Sequence, residues 1–285
     1  MNKRIFSIGF FLLFIVFGAF AVNKSTKNKT PFALFPFDSG VGRGIWTPEQ
    51  QAGTLQEFGY SGIGYNYTNL EELKKRIAAF DVAGLKIYSL YIGSNVGNIN
   101  PLPAEIEDVM KLIQNRGIVI WLNMYGPKDA KKGSLDKEAV EIINKVSKMS
   151  RKYKVQVALY GHKNLYIETA EDGQRLLEKA KVKNVKNSFN LCHELMYGNE
   201  NRLKEIITKC AKDLILVSIN GADVKNKQYI QRLDQGDFDM AGLIKTLKDV
   251  GYKGPVGLQC FNVPGDQKEN LRINMVKWNE IISNL

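Results

Sequence analysis

Short runs rich in β-branched and aromatic residues alternate along this chain with longer segments of helical period, and the alternation repeats eight times. The apolar runs are FALFPF (32–37), GIGYNY (62–67), KIYSLYI (86–92), IVIWLNMY (118–125), VQVALYG (155–161), KNSFNLC (186–192), LILVSING (214–221) and PVGLQCF (255–261). Helical periodicity follows each one, over 48–58, 70–83, 103–116, 136–153, 170–181, 201–213, 239–250 and 269–282. Apolar strands separated by amphipathic helices predict a parallel sheet covered by helices. Eight such units predict a closed (β/α)8 TIM barrel, an α/β fold. Thr47-Pro48 supplies an N-cap hydroxyl and a first-turn proline, while Gly84, Gly117 and Gly251 stand where a helix needs a left-handed stop. An open, doubly wound sheet is the alternative architecture. GVGRG at 40–44 lacks the G-x-G-x-x-G spacing of a dinucleotide loop and reads as a flexible loop over the barrel mouth.

The first residues break the pattern. Lys3-Arg4 precede a mainly apolar stretch over 5–17, and Ala19-Phe20-Ala21 follows, the layout of a cleaved secretory signal. The expected organisation is a signal peptide at 1–21, a polar linker at 22–30 and a single barrel domain at 31–285, with an uncleaved anchor as the competing reading. Export, to a bacterial periplasm, is then expected, with no stable membrane insertion after cleavage. Loss of Lys3 and Arg4 lowers the net charge from +11 to +9. The lysines are dispersed over helical segments without interleaved aromatics, which reads as a solvated surface and argues against a nucleic-acid partner. Three cysteines without a CxxC offer no metal motif and read as small buried apolar residues, at least one of them unpaired in an oxidising compartment.

Barrels of this kind place their chemistry at the carboxyl ends of the strands. The strand exits offer Asp38, Tyr67, Asn95, Asn123, Tyr160 with His162, Asn190 with His193, Ser218 with Asn220, and Gln259 with Asn262. The chain has two histidines, and both leave consecutive strands. Asp237 and Asp239, in GDFD, read as N-terminal caps of the seventh helix.

VALYGH, FNLCHEL, LVSINGAD and LDQGDFDMAGLIKTLKDVGYKGPVGLQCF together resemble the sugar isomerase/epimerase superfamily, whose xylose isomerase-like TIM barrel is shared with endonuclease IV. The resemblance covers the second half of the chain by motif and the first half by architecture. It implies a divalent metal held by two glutamates, an aspartate and a histidine. Those positions fall on Tyr160, Asn190, Ser218 and Gln259, none of which is anionic, so no metal cofactor is expected. A further family histidine corresponds to His193, and His162 fits one that some members carry.

The expected function is proton transfer next to a carbonyl of a small-molecule carbohydrate, giving isomerisation, epimerisation or β-elimination of a keto-sugar or glycoside; exported relatives handle oxidised glycosides. His162 and His193, expected to face one another across the barrel mouth, would act as acid and base. Tyr160, Glu168, Asn190, Ser218, Asn220, Gln259 and Trp46 are the candidate sugar-binding residues, Trp46 as a stacking platform. The alternative is a catalytically inactive sugar-binding barrel or partner subunit. A glycosidase would need two flanking carboxylates, for which Asp38, Glu168 and Asp223 are thin material. A nuclease would need a multi-metal cluster that two histidines cannot populate.

Overall fold

All eight apolar runs become parallel strands of one sheet, and the sheet closes on itself. The computed structural model describes residues 32–285, so the segments read as signal peptide and linker lie outside the described residues. In chain order the strands are β1 (Leu34–Pro36), β2 (Gly62–Asn66), β3 (Lys86–Asn95), β4 (Val119–Tyr125), β5 (Gln156–Tyr160), β6 (Val185–Asn190), β7 (Leu214–Ile219), a hairpin of β8 (Gly221–Asp223) and β9 (Gln228–Gln231), and β10 (Val256–Leu258). Strand β10 lies between β7 and β1, and a parallel bridge from Phe37 to Gly64 joins β1 to β2. That bridge makes the sheet a barrel and excludes the open alternative. Around it run α1 (Pro48–Glu57), α2 (Leu70–Val82), α3 (Ile106–Ile113), α4 (Asp136–Tyr153), α5 (Ala170–Ala180), α6 (Leu191–Tyr197), α7 (Leu203–Cys210), α8 (Met240–Asp249) and α9 (Gln267–Ser283). No helix among the described residues is long and apolar enough to cross a membrane.

Side chains of a strand alternate between its two faces, and two separate cores result. Leu34, Ile63, Leu90, Ile120, Leu122, Val157, Leu159, Val217 and Ile219 pack outward into the layer shared with the helices. Phe35, Phe37, Val119, Trp121, Ala158, Tyr160 and Leu216 fill the lumen, with Tyr88 and Tyr91 against them. The lumen is therefore largely aromatic. Phe35 stacks on Tyr88 at 4.8 Å between ring centroids, and Trp121 meets Phe37 and Tyr160 edge-on at 5.3 and 4.6 Å. Gly257 makes room for these rings, since a Cβ there would come within 2.8 Å of Phe37.

Several local expectations hold. Thr47 closes a capping box on α1, and Gly84, Gly117 and Gly251 take positive φ after their helices. All three cysteines are buried and unpaired. Other expectations need correction. The sixth apolar run ends as a strand at Asn190, and its last two residues open α6, stopped by Gly198 in the left-handed region; His193, at the strand's exit as expected, sits in the first turn of that helix. The third helix is shorter than its periodicity, Ile106–Ile113 instead of 103–116. Asp239 caps α8 through the Gly242 N–H at 2.9 Å, but Asp237 accepts from the Val224 N–H and holds the hairpin instead.

Candidate active site

At the carboxyl ends of the strands lies a cavity of 340 Å³, within the usual range of roughly 300–1,000 Å³ for small-molecule sites. Its floor is the top of the aromatic lumen, Trp121 and Tyr160, and its walls include His162, His193, Gln259, Asp38, Arg43 and Tyr91. Ile230, from the hairpin strand β9, closes one side.

The two histidines stand side by side, with ring centroids 4.0 Å apart and planes tilted by 40°. This corrects the expectation that they face each other across the mouth: they leave adjacent strands, β5 and β6, and adjacent strands bring their exits together. His162 is half-buried, and its Nδ1 lies 2.7 Å from the Lys163 carbonyl oxygen. A carbonyl can only accept, so Nδ1 carries the proton and Nε2 presents a lone pair. Burial lowers the pKa of His162 below the ordinary imidazole value, partly offset by that backbone bond. His193 is 4% exposed, and neither ring nitrogen has a protein partner. Burial first, and the adjacent His162 second, push its pKa down to about 3, so both rings are neutral at pH 7.

Behind His193, Glu194 turns away from the cavity. It accepts from the Ala170 N–H at 2.7 Å, at the start of α5, and from the Asn199 amide at 2.6 Å. Burial outweighs these bonds and pushes its carboxyl up to about 7. Burial also raises the Cys192 thiol to about 12, which leaves no thiolate for nucleophilic chemistry. The Tyr160 phenol is likewise held protonated by burial, with Tyr91 and Cys192 contributing.

The remaining sequence candidates divide by placement. Tyr160 and Gln259 line the cavity, and Gln259 is oriented by the Phe261 N–H, which donates to its Oε1 at 3.0 Å. Asn190 and Ser218 do not line it. The Ser218 hydroxyl donates to Asn190 Oδ1 at 2.9 Å while Asn190 Nδ2 donates to the Gly161 carbonyl at 2.9 Å, so the pair ties the exits of β5, β6 and β7 together. Asn220 donates to the carbonyls of Gly221 and Tyr229 and anchors the hairpin. Glu168 accepts from the Asn164 N–H at 3.0 Å and pairs with Lys163 at 3.6 Å, outside the cavity lining. Trp46 packs by Gly42, under Lys268, away from the cavity. Sequence reading missed Arg43, whose guanidinium pairs with buried Asp38 at 2.5 Å and so fixes the GVGRG loop. It also missed Tyr91, although Ser89 and Tyr91 alternate with Leu90 and Ile92 and thereby mark the lumen face of β3.

A divalent cation does not fit the positions where the resemblance puts its ligands. Two of them, Asn190 and Ser218, are bonded to each other, Gln259 Oε1 is engaged by a backbone N–H, and Tyr160 is a buried, protonated phenol. A hard cation needs anionic oxygen to offset its dehydration, and none is offered. Among the described residues no three His, Cys, Asp or Glu side chains converge. Elemental analysis after dialysis is expected to find Mg, Mn and Zn well below one per chain; a stoichiometric cation would overturn this reading of the donor set.

Comparison with known proteins gives a consistent picture. No curated protein matches the sequence. Among solved structures, 3-keto-D-glucoside 4-epimerase YcjR from E. coli superposes with a TM-score of 0.72 at 15% identity, covering 89% of this chain and 100% of that one. The IOLI protein with a bound zinc atom gives 0.71 at 15% identity, covering 89% and 99%. D-psicose 3-epimerase from Clostridium cellulolyticum H10 gives 0.66 at 15% identity, covering 89% and 95%. At such identities the likeness is one of fold. The xylose isomerase-like TIM barrel family profile matches residues 52–278, most of the closed barrel and both histidine-bearing exits, and the chain belongs to that family.

Proposed function

We propose that this protein is a carbohydrate-active enzyme that takes a proton from the carbon next to a sugar carbonyl, with His162 as the base. One observation carries the reading: a half-buried imidazole at the cavity wall whose tautomer is set by the Lys163 carbonyl, leaving Nε2 as an unprotonated acceptor at neutral pH. The Tyr160 hydroxyl and the Gln259 amide line the same cavity and are donors suited to the oxygen that gains charge as the proton leaves. Fold relatives named as sugar epimerases support the substrate class.

The side-by-side histidines favour chemistry on one face of the sugar. The C–H proton passes to Nε2, and the electron pair becomes an enediolate. Return of that proton to the former carbonyl carbon, with transfer of the neighbouring hydroxyl proton to the former carbonyl oxygen, completes an isomerisation. Alternatively, collapse of the enediolate expels a β-oxygen with its bonding pair, and that oxygen takes the proton from His162 Nε2, which restores the base. Inversion by two bases on opposite faces does not suit rings 4.0 Å apart. A glycosidase is disfavoured because Asp38, the carboxylate in the lining, is held by Arg43 and by the Asn66 N–H. The competing reading, a sugar-binding barrel without turnover, draws on the Asn190–Ser218 bond, which closes off two of the family's ligand positions.

The test is incubation with aldoses, ketoses and keto-glycosides in deuterated water, followed by NMR. Label is expected at the carbon beside the carbonyl. Binding without label in any of these sugars would favour the inactive barrel and remove the base assignment.

A further inference from the structure

A second cavity, of 450 Å³, adjoins the first on the side of β2, β3 and β4, and Asn66 and Tyr91 line both. Tyr67, Tyr91 and Tyr125 surround it, and Glu105 closes it with a hydrogen bond from the Tyr67 hydroxyl. The side-chain amides of Asn66 and Asn95, both in this lining, make no hydrogen bond within the protein among the described residues.

Tyr125 is the informative residue. It ends β4 with the residue 41% exposed, an unusual position for so large an apolar side chain. It lies over Gly93 of β3: a Cβ built at Gly93 would come within 2.8 Å of Tyr125 Cε2. The bare backbone at Gly93 thus lets the ring lie along the cavity wall. The loop after β3 is tied to the same spot, since the Val96 N–H donates to the Tyr125 carbonyl at 2.7 Å.

An exposed aromatic face, free amides and a fixed carboxylate match the two sides of a pyranose ring, apolar C–H on its faces and hydroxyls at its edge. We infer that the second cavity is a subsite for a second sugar ring, so that the substrate is a glycoside or disaccharide with its reacting ring at His162 and its other ring over Tyr125. This rests on the proposed function for the identity of the reacting ring. It adds that the bond between the two sugars lies near Asn66 and Tyr91, the residues common to both cavities.

The probes are glucose, maltose and cellobiose, titrated against the full chain by calorimetry or ligand-observed NMR. At least one disaccharide is expected to bind about 10-fold or more tightly than glucose, and Tyr125→Ala to bring that ratio close to one. Tyr125→Phe, which keeps the ring, should retain the preference, and Gly93→Ala, which displaces the ring, should reduce it. Equal affinities for one and two rings, or a preference indifferent to Tyr125→Ala, would overturn the subsite. Deuterium labelling separates this from the proposed function. Label in monosaccharides without disaccharide preference sinks the subsite alone, and preference without label in any sugar sinks the proton transfer alone. No binding of glucose, maltose or cellobiose would overturn the subsite, while label in a ketose or keto-glycoside would leave the proton transfer standing.

Discussion

Replacing His162 with asparagine is expected to lower deuterium incorporation and turnover by about 100-fold or more, the usual scale for loss of a general base. The fold should survive, because the ring is half-buried at a loop and its one hydrogen bond is to a neighbouring carbonyl. The pH dependence should follow from the lowered pKa. A base works unprotonated, so kcat/KM should be on its plateau at pH 7 and fall with acid, with a midpoint below the ordinary imidazole value of 6.5. A midpoint above 6.5, or a rate that survives His162→Asn, would remove His162 from the role. His193→Gln should cost less, because its nitrogens meet no partner that would set a tautomer and its charged form is strongly disfavoured.

The stability of the protein should show His193 in a different way. In the unfolded chain this imidazole takes up a proton near pH 6.5, whereas in the fold it resists until about 3. Across that window the unfolded state binds more protons, so stability is full above pH 6.5 and is lost as pH falls towards 3, by on the order of 5 kcal/mol. Glu194 works in the opposite sense. Its folded pKa of about 7 lies above the ordinary 4.5, so its contribution is present below 4.5 and is lost as pH rises through 7, by on the order of 3 kcal/mol. Between 4.5 and 6.5 the two slopes oppose one another. Urea unfolding of the wild type should therefore be nearly flat there in these two contributions, while Glu194→Gln should expose the steep histidine slope and His193→Gln the reverse. If the stability difference between wild type and His193→Gln does not change with pH, the imidazole titrates like an exposed one and its environment is wetter than the lining suggests.

The barrel was legible in the chain because a strand buried on both faces must be apolar throughout, and eight such runs, each followed by a helical segment, leave little freedom of topology. What escaped were elements without that signature. Strands β8 and β9 are GAD and QYIQ, too short to show an alternating pattern, β8 buried through Ala222 and the hairpin held by Asn220 and Asp237. Helix α6 continues the apolar run of β6 without a break, so Leu191 and Cys192 read as the end of the strand and no helix was expected between them and residue 201. For the site, strand exits located the right rim but could not say which side chains stay free. Asn190 and Tyr160 end neighbouring strands, yet one is consumed by Ser218 and Gly161 while the other faces the cavity. Hydrogen-bond pairing among neighbours decides this, and no spacing in the sequence records it. Arg43 was hidden for a related reason: a lone arginine in a glycine-rich loop gains its place only from Asp38, buried at the end of β1.

The bond between Ser218 and Asn190 also bears on how readily this rim could change its chemistry by descent. An aspartate at 190 would set a carboxylate against the Gly161 carbonyl, acceptor facing acceptor, where an amide now donates. A histidine at 218 would withdraw the hydroxyl and leave Asn190 Oδ1 buried without its donor. Each single step towards a charged ligand set is therefore disfavoured before a cation is present to compensate. A lineage carrying this arrangement stands behind an epistatic barrier, open to refinement of its neutral site and closed, one substitution at a time, to a cationic one.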